Sequence, residues 1–313
     1  MKFNFWIIIF LISPNLVFTQ NYFEYYQGIN KGRTLVSTGN IEESLQSYFS
    51  TFEKFDFVFA RDCFNAIEIS AITKDTVKLD YFIRRGIKQG LDLKLILKVK
   101  KLSEYHNSTF IHRIEKDNDS LKAVYTESIN WELRNEMIAM FTADQAVRER
   151  FYDAILFKRS KIGKEWEALN RVQVERIIEI TKKHGFPGEK LIGIDTPEMH
   201  SKIGDYNLSA GMPIVIFIHH YSQPNISYAP LLFKQIEAGN LYNEHFATIS
   251  DFEVKFGKGK HENHGFFAFK QTLKNTNEQE VNKRRNEIEL LSIEKFEELN
   301  KSKVITRFWN RLY

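Results

Sequence analysis

The sequence predicts a mainly α-helical protein. Apolar residues recur at helical spacing along most of the chain, and Tyr22 to about Ser128 reads as almost unbroken helix. The breakers are concentrated: eight of fifteen glycines and five of six prolines lie between His184 and His264. The expected architecture is a set of N-terminal helix-turn-helix repeats over 21–129, packed on a C-terminal helical domain over 130–313. That domain should carry an irregular loop region and, over Phe256–Phe267, a small β-hairpin or glycine-turned loop.

Residues 1–20 read as a secretory signal peptide. Lys2 is their only charge, Phe5–Ile12 form a short apolar core, Ser13-Pro14-Asn15 break it, and Val17 and Thr19 suit a cleavage site. The run is shorter than the roughly 20 residues a membrane span needs. No later stretch is longer, so an exported protein, periplasmic or secreted and without a stable membrane span, is expected.

In the first helical region, Gly39-Asn40 separates two helices, the second carrying Leu45, Tyr48, Phe49 and Phe52 on one face. Gly32, Leu35, Gly39, Ser44 and Tyr48 fall where a tetratricopeptide-type helix pair places small residue, large residue, turn, small residue and aromatic. Lys74-Asp75, with Leu79, Ile83 and Gly86 behind it, looks like a second copy 35 residues on, close to the repeat period of about 34. Such units stack to bury their apolar faces, either as a surface for a protein partner or as a brace for the rest of the chain. Asn107-Ser108-Thr109 and Lys116–Ser120 read as polar loop.

A helix then runs from about Asn130 through the 140s. It restarts at Thr142, where Thr142-Ala143-Asp144-Gln145 matches a capping box and Asp144 and Arg148 have the spacing of a surface ion pair. An amphipathic helix follows from about Lys164 to His184. Trp166, Leu169, Ile177, Ile180 and His184 mark its buried side, with Gly185 and Pro187 as its stop. Phe186–Gly211 is too long for a simple connection. Pro213 starts a helix, Ile214–Tyr221, that is apolar all round and therefore buried. Helices are expected again over Ser227–Ala238 and Asn277–Lys301.

Composition excludes several function classes. The net charge of +4 is small and the charges are interspersed. Lys283-Arg284-Arg285 reads as a solvated helix face, so no nucleic-acid partner is expected. The single cysteine, Cys63, permits no internal disulfide. The chain lacks a phosphate loop, a Gly-x-Ser-x-Gly elbow and an HExxH motif, and His261-x-x-His264 has no accompanying ligand pair. No metal site or cofactor is assigned.

Seven of nine histidines lie between His184 and His264, which points to acid–base work by imidazole and carboxylate if there is catalysis. His219 and His220 stand out because their helix is otherwise apolar. Consecutive positions point about 100° apart, so one site can take only one of them. The candidate catalytic residues are His220 as acid/base and Asp144 and Asp251 as its orienting groups. The candidate ligand-binding residues are Arg148, Gln145, His219 and His245. Each also has a bland explanation: a helix start with an ion pair for Asp144, Gln145 and Arg148, and a hydrogen-bonded core imidazole for either histidine.

The order of these motifs resembles an uncharacterised bacterial family, a domain of unknown function. Its pattern is an Asp-Gln-x-x-Arg helix, a Gly-Trp-Pro turn, an apolar helix ending in Gln-His, an Ala-x-x-x-Asp stretch and a closing Tyr-Gly. The matching residues are Asp144-Gln145-Ala146-Val147-Arg148, Gly185-Phe186-Pro187, His219-His220, Ala247 to Asp251, and His264-Gly265, with Asn170 between the first two. The chain departs at Phe186, His219 and His264. The resemblance supplies no reaction; it implies that Asp144, Arg148, His220 and Asp251 converge on a pocket. Two functions stay open: a polar pocket that binds or hydrolyses a small envelope or nutrient molecule, and a non-enzymatic envelope interaction module acting through the repeats.

Overall fold

The computed structural model describes residues 20–196, 208–220, 228–256, 265–267 and 277–306. Of these, 78% are helical and none is in a strand. The predicted mainly-α class holds. The segments expected to form the signal peptide and most of the hairpin lie outside the described residues, as do His200, His261 and His264.

The N-terminal helices are α1 (Tyr22–Ser37), α2 (Ile41–Lys54), α3 (Ala60–Thr73) and α4 (Thr76–Ile87). They pack chiefly as the pairs α1–α2 and α3–α4. Gly39, at φ +83°, makes the first turn. Close approach of α1 and α2 depends on Gly32: a Cβ there would sit 2.6 Å from the Tyr48 ring. The Ser44 hydroxyl donates to the Gly32 carbonyl at 2.8 Å, so each small residue of the predicted pattern has a packing reason. Asp75 caps α4 by accepting from the Lys78 amide. Next come α5 (Leu93–Leu97), a 3₁₀ turn at Lys100–Tyr105 and α6 (Thr109–Ser128). Residues 116–120, read as loop from their polarity, belong to α6; Ile111, Ile114 and Leu121 bury its other face.

The C-terminal helices are α7 (Trp131–Asp153), α8 (Leu156–His184), α9 (Glu189–Ile192), α10 (Met212–His219), α11 (Ala229–Glu237), α12 (Asn243–Phe256), α13 (Glu278–Glu287) and α14 (Ile293–Ser302). Helix α7 is continuous through Thr142, so the capping box is not used. The Thr142 hydroxyl instead donates to the Ile138 carbonyl, as a mid-helix threonine does. Helix α8 starts eight residues earlier than predicted and stops at Gly185, at φ +89°. His184 is exposed in its last turn rather than buried.

Helix α10 is buried along its whole length and packs against α7, α8 and α12. One apolar core runs from Tyr22 to Ile305 without a break near residue 129. Phe59 of the first part meets Tyr242 of the second at 4.7 Å, the Tyr26 hydroxyl donates to the Leu241 carbonyl, and α14 packs on α1.

Candidate acid–base site

On α7, Leu133, Met137, Phe141, Asp144 and Val147 follow one another at three- and four-residue steps and are all buried. Asp144 therefore occupies a core position on an apolar stripe, which overturns its reading as a surface ion pair. A buried carboxylate must be hydrogen-bonded, and the neighbouring helices supply the donors. Helix α8 places Trp166 and Asn170 one turn apart, so they share a face. Trp166 Nε1 and Asn170 Nδ2 donate to Asp144 Oδ1 at 2.7 and 2.8 Å. Helix α10 ends at His219, whose Nδ1 lies 2.7 Å from Asp144 Oδ2, and Gln145 Nε2 donates to the same oxygen at 2.9 Å.

Burial pushes the Asp144 carboxyl up. The hydrogen bond and charge of His219, with the Trp166 and Asn170 hydrogen bonds, outweigh it and hold the group below its ordinary value. Asp144 is therefore ionised at neutral pH and accepts from Nδ1–H of His219. With Nδ1–H held there, Nε2 is the nitrogen at which the ring would gain or lose its second proton. The Trp166 ring stands edge-on to the imidazole, with centroids 4.8 Å apart. Three helices thus fix one imidazole in position and tautomer.

The other predicted site residues are distributed around this centre. His220 turns away from Asp144, as the 100° step requires. It is buried, its Nδ1 has no hydrogen-bond partner, and burial with the nearby Arg171 charge pushes its pKa down to about 4. Of the two adjacent histidines, it is His219 that Asp144 orients. Arg148 lies one turn beyond Asp144 on α7, with its guanidinium 5.2 Å from the Tyr152 ring centroid. Asp251 accepts from the backbone amides of Phe266 and Phe267 at 2.5 and 3.2 Å, which ties the 265–267 segment to α12. His245 is buried beside Arg61, with Nε2 3.3 Å from the guanidinium. Burial and that charge hold the imidazole well below its ordinary value, so it is neutral.

A second polar centre, which the sequence reading missed, surrounds His245. Arg33 contacts Asp62 at 3.0 Å, Glu244 at 3.1 Å and the Tyr242 hydroxyl at 2.6 Å. Arg61 is 1% exposed and contacts Glu244 at 3.5 Å and the Ser209 hydroxyl at 3.3 Å. The Tyr25 hydroxyl donates to Asp62 at 2.8 Å. Glu189 is also buried, and its Oε2 accepts from the Ala60 amide at 2.9 Å. Burial drives its pKa up to about 8 against the pull of that amide and Arg61, so the carboxyl is largely protonated at neutral pH. Among the described residues, no group of three or more His, Cys, Asp and Glu is placed to hold a metal ion.

Comparison of the chain with family models, curated proteins and solved structures finds no match. Function has to be argued from these two centres. Asp144, Gln145 and His219 are sequence candidates that the fold brings together. Trp166 and Asn170 complete the set. The sequence marks Trp166 as part of the packed side of this helix and Asn170 as part of the family resemblance, and their four-residue spacing is what brings both to one carboxylate.

Proposed function

We propose that this is an exported small-molecule hydrolase whose acid–base centre is the Asp144–His219 pair. The carrying observation is the 2.7 Å contact between a buried carboxylate and an imidazole nitrogen, with Trp166, Asn170 and Gln145 donating to the same carboxylate. That arrangement fixes which imidazole nitrogen is basic and stabilises the imidazolium that forms on proton transfer. In the proposed reaction, His219 Nε2 takes a proton from water as the oxygen attacks a carbonyl or phosphoryl centre. The imidazolium returns that proton to the departing alkoxide or amine. Asp144 stays ionised throughout, and Arg148, one turn along α7, holds an anionic part of the substrate.

The resemblance to the uncharacterised bacterial family supports only part of this reading: the Asp-Gln-x-x-Arg helix faces the end of the apolar helix, but the family pattern has glutamine where this chain has His219, so the imidazole beside Asp144 is a departure from the family rather than a feature of it. The apolar stretch before Tyr22 supports export, and an envelope or nutrient molecule is the substrate class this suggests. The test is a panel of chromogenic carboxyl esters, phosphomonoesters and phosphodiesters, with Asp144→Asn and His219→Gln as controls. Turnover of at least one class should fall by about 10²–10⁴-fold in each variant while helicity is retained. No turnover by the wild type, or turnover that survives either substitution, refutes the proposal.

A second reading has an observation of its own. A cleft of about 530 Å³ opens between α1 and α13–α14, lined by Gln27, Asn30, Lys31, Thr34, Asn286 and Lys295 among others. It favours a non-enzymatic interaction module in which the tetratricopeptide-like pairs hold an envelope protein. Unchanged cross-linked partners after Asn30→Asp and Lys31→Glu would eliminate that reading.

A further inference from the structure

The α7–α8 hairpin outruns the core. Residues 148–169 include no buried residue, whereas Val147 and Asn170 on either side are buried. The free end is nonetheless built. Arg159 donates to the Phe151 and Tyr152 carbonyls at 3.2 and 3.0 Å, Arg150 grips Glu165 through two hydrogen bonds of 2.8 and 2.9 Å, and Phe151 packs on Trp166. These contacts staple the two helices together behind the turn.

What the staple presents is apolar. Ile155, Leu156 and Phe157 form the apex at 67%, 80% and 93% exposure, and Tyr152 is exposed beside them. These four are adjacent, while the other large exposed apolar residues among those described are dispersed along the chain. Holding a phenylalanine and two aliphatic side chains in water forfeits the free energy of their burial, about 1.5–3 kcal/mol each. The collar is net cationic: residues 148–169 carry Arg148, Arg150, Lys158, Arg159, Lys161 and Lys164 against Glu149, Asp153, Glu165 and Glu167, and the stretch just after the apex, Lys158 to Lys164, has no carboxylate.

We infer that this tip is a docking surface for an anionic phospholipid membrane. A convex apolar point with a cationic collar fits a bilayer interface. The side chains reach the headgroup–acyl boundary while lysine and arginine meet lipid phosphates. Charge gives a second copy of the chain no advantage as the occupant, since each tip would bring a net positive charge to the contact. The inference does not depend on the Asp144–His219 pair being catalytic.

Vesicle co-sedimentation tests it, using the chain from Gln20 onward, which contains every core residue among those described. The wild type should sediment with an equal mixture of phosphatidylglycerol and phosphatidylcholine and stay in solution with phosphatidylcholine alone. Leu156→Asp with Phe157→Asp should reduce the bound-to-free ratio about tenfold or more. Lys158→Glu with Lys161→Glu, which spares the apolar tip, should cause a loss of about the same size, as should 0.5 M salt (about) for the wild type. Both variants should keep the wild-type circular dichroism, because every altered side chain is exposed. Absence of wild-type binding to the anionic vesicles, or binding that both variants retain, overturns the inference. So does concentration-dependent self-association that the tip variant abolishes while vesicle binding is absent; the tip would then be an interface between copies.

Discussion

The protein has two buried polar centres, and they differ in what their cations can do. In the centre around Asp62 the cations are two guanidinium groups: Arg33 contacts both Asp62 and Glu244, and Arg61 contacts Glu244. Guanidinium does not release its proton in proteins, so the two arginines carry fixed charge and tie helices together, with His245 held neutral beside them. Around Asp144 the partner is the imidazole of His219. An imidazole can gain and lose a proton where a guanidinium cannot, so the same kind of carboxylate contact becomes one that can take part in proton transfer. Both centres join sequence-distant helices. Only the Asp144 centre joins a carboxylate directly to an imidazole.

The sharpest way to break this contrast is to neutralise one carboxylate in each centre with its isostere. Asp62→Asn removes one of the two carboxylates that contact Arg33 and leaves buried guanidinium charge undercompensated. Unfolding free energy should drop by about 3–5 kcal/mol, with a Tm decrease of roughly 10 °C. Asp144→Asn leaves an imidazole that can be neutral, so the stability loss should be smaller, about 1–2 kcal/mol, with the proposed turnover falling by about 10²–10⁴-fold. Chemical denaturation and kinetics on the two variants decide the matter. If Asp144→Asn proves the more destabilising and changes no activity, both centres are scaffolding.

A second test separates them by pH. Glu189 has its folded-state pKa raised from 4.5 to about 8, chiefly by burial. Between those values the folded protein binds more protons than the unfolded chain, so its contribution to stability is complete below about pH 4.5 and is lost as pH rises through 8. His220 works the other way. Its pKa is lowered from 6.5 to about 4, so it favours the fold above 6.5 and loses that contribution as pH falls through 4. Above pH 6.5 only the Glu189 slope of these two remains. From pH 6.5 to 8 it should cost about 2 kcal/mol at about 1.4 kcal/mol per unit. Glu189→Gln keeps an acceptor for the Ala60 amide and should flatten that decline. An unaltered slope in the variant would place the titration elsewhere.

The sequence made the helical framework legible because its signals are local. Gly39 marks a turn that needs positive φ, Pro213 opens a helix, and Gly185 ends one. The site was half legible. Asp144 and His219 are visible as polar residues in apolar company, yet the Thr142 capping-box match offered a local explanation for Asp144 that the continuous helix α7 does not use. The stripe of Met137, Phe141, Asp144 and Val147 was the stronger signal, since four core positions outweigh one cap. The choice between His219 and His220 depends on the rotational setting of α10 against α7 and α8, which no local pattern encodes. The Arg33–Asp62–Glu244 lattice was invisible for a related reason. Its members lie on α1, α3 and α12 and meet only through tertiary packing.

The most discriminating pair of variants deletes one donor from each carboxylate while keeping an aromatic ring. Trp166→Phe removes the 2.7 Å hydrogen bond to Asp144 Oδ1, and Tyr25→Phe removes the 2.8 Å hydrogen bond to Asp62 Oδ2. A hydrogen bond to a charged group contributes about 1.5–3 kcal/mol, and phenylalanine retains much of the packing, so each variant should lose about 1–2 kcal/mol. Tyr25→Phe should be the worse of the two, since its hydroxyl also accepts from the Phe59 amide at 3.2 Å and that buried donor would be stranded. Their consequences for turnover should diverge. Loss of the indole N–H raises the Asp144 pKa and loosens the carboxylate that orients His219, so the Trp166 variant should lose turnover and shift its acidic pH limb upward. The Tyr25 variant should be less stable with an unchanged pH profile. Equal kinetic effects from both would mean that stability alone sets activity and that His219 is not individually oriented for catalysis.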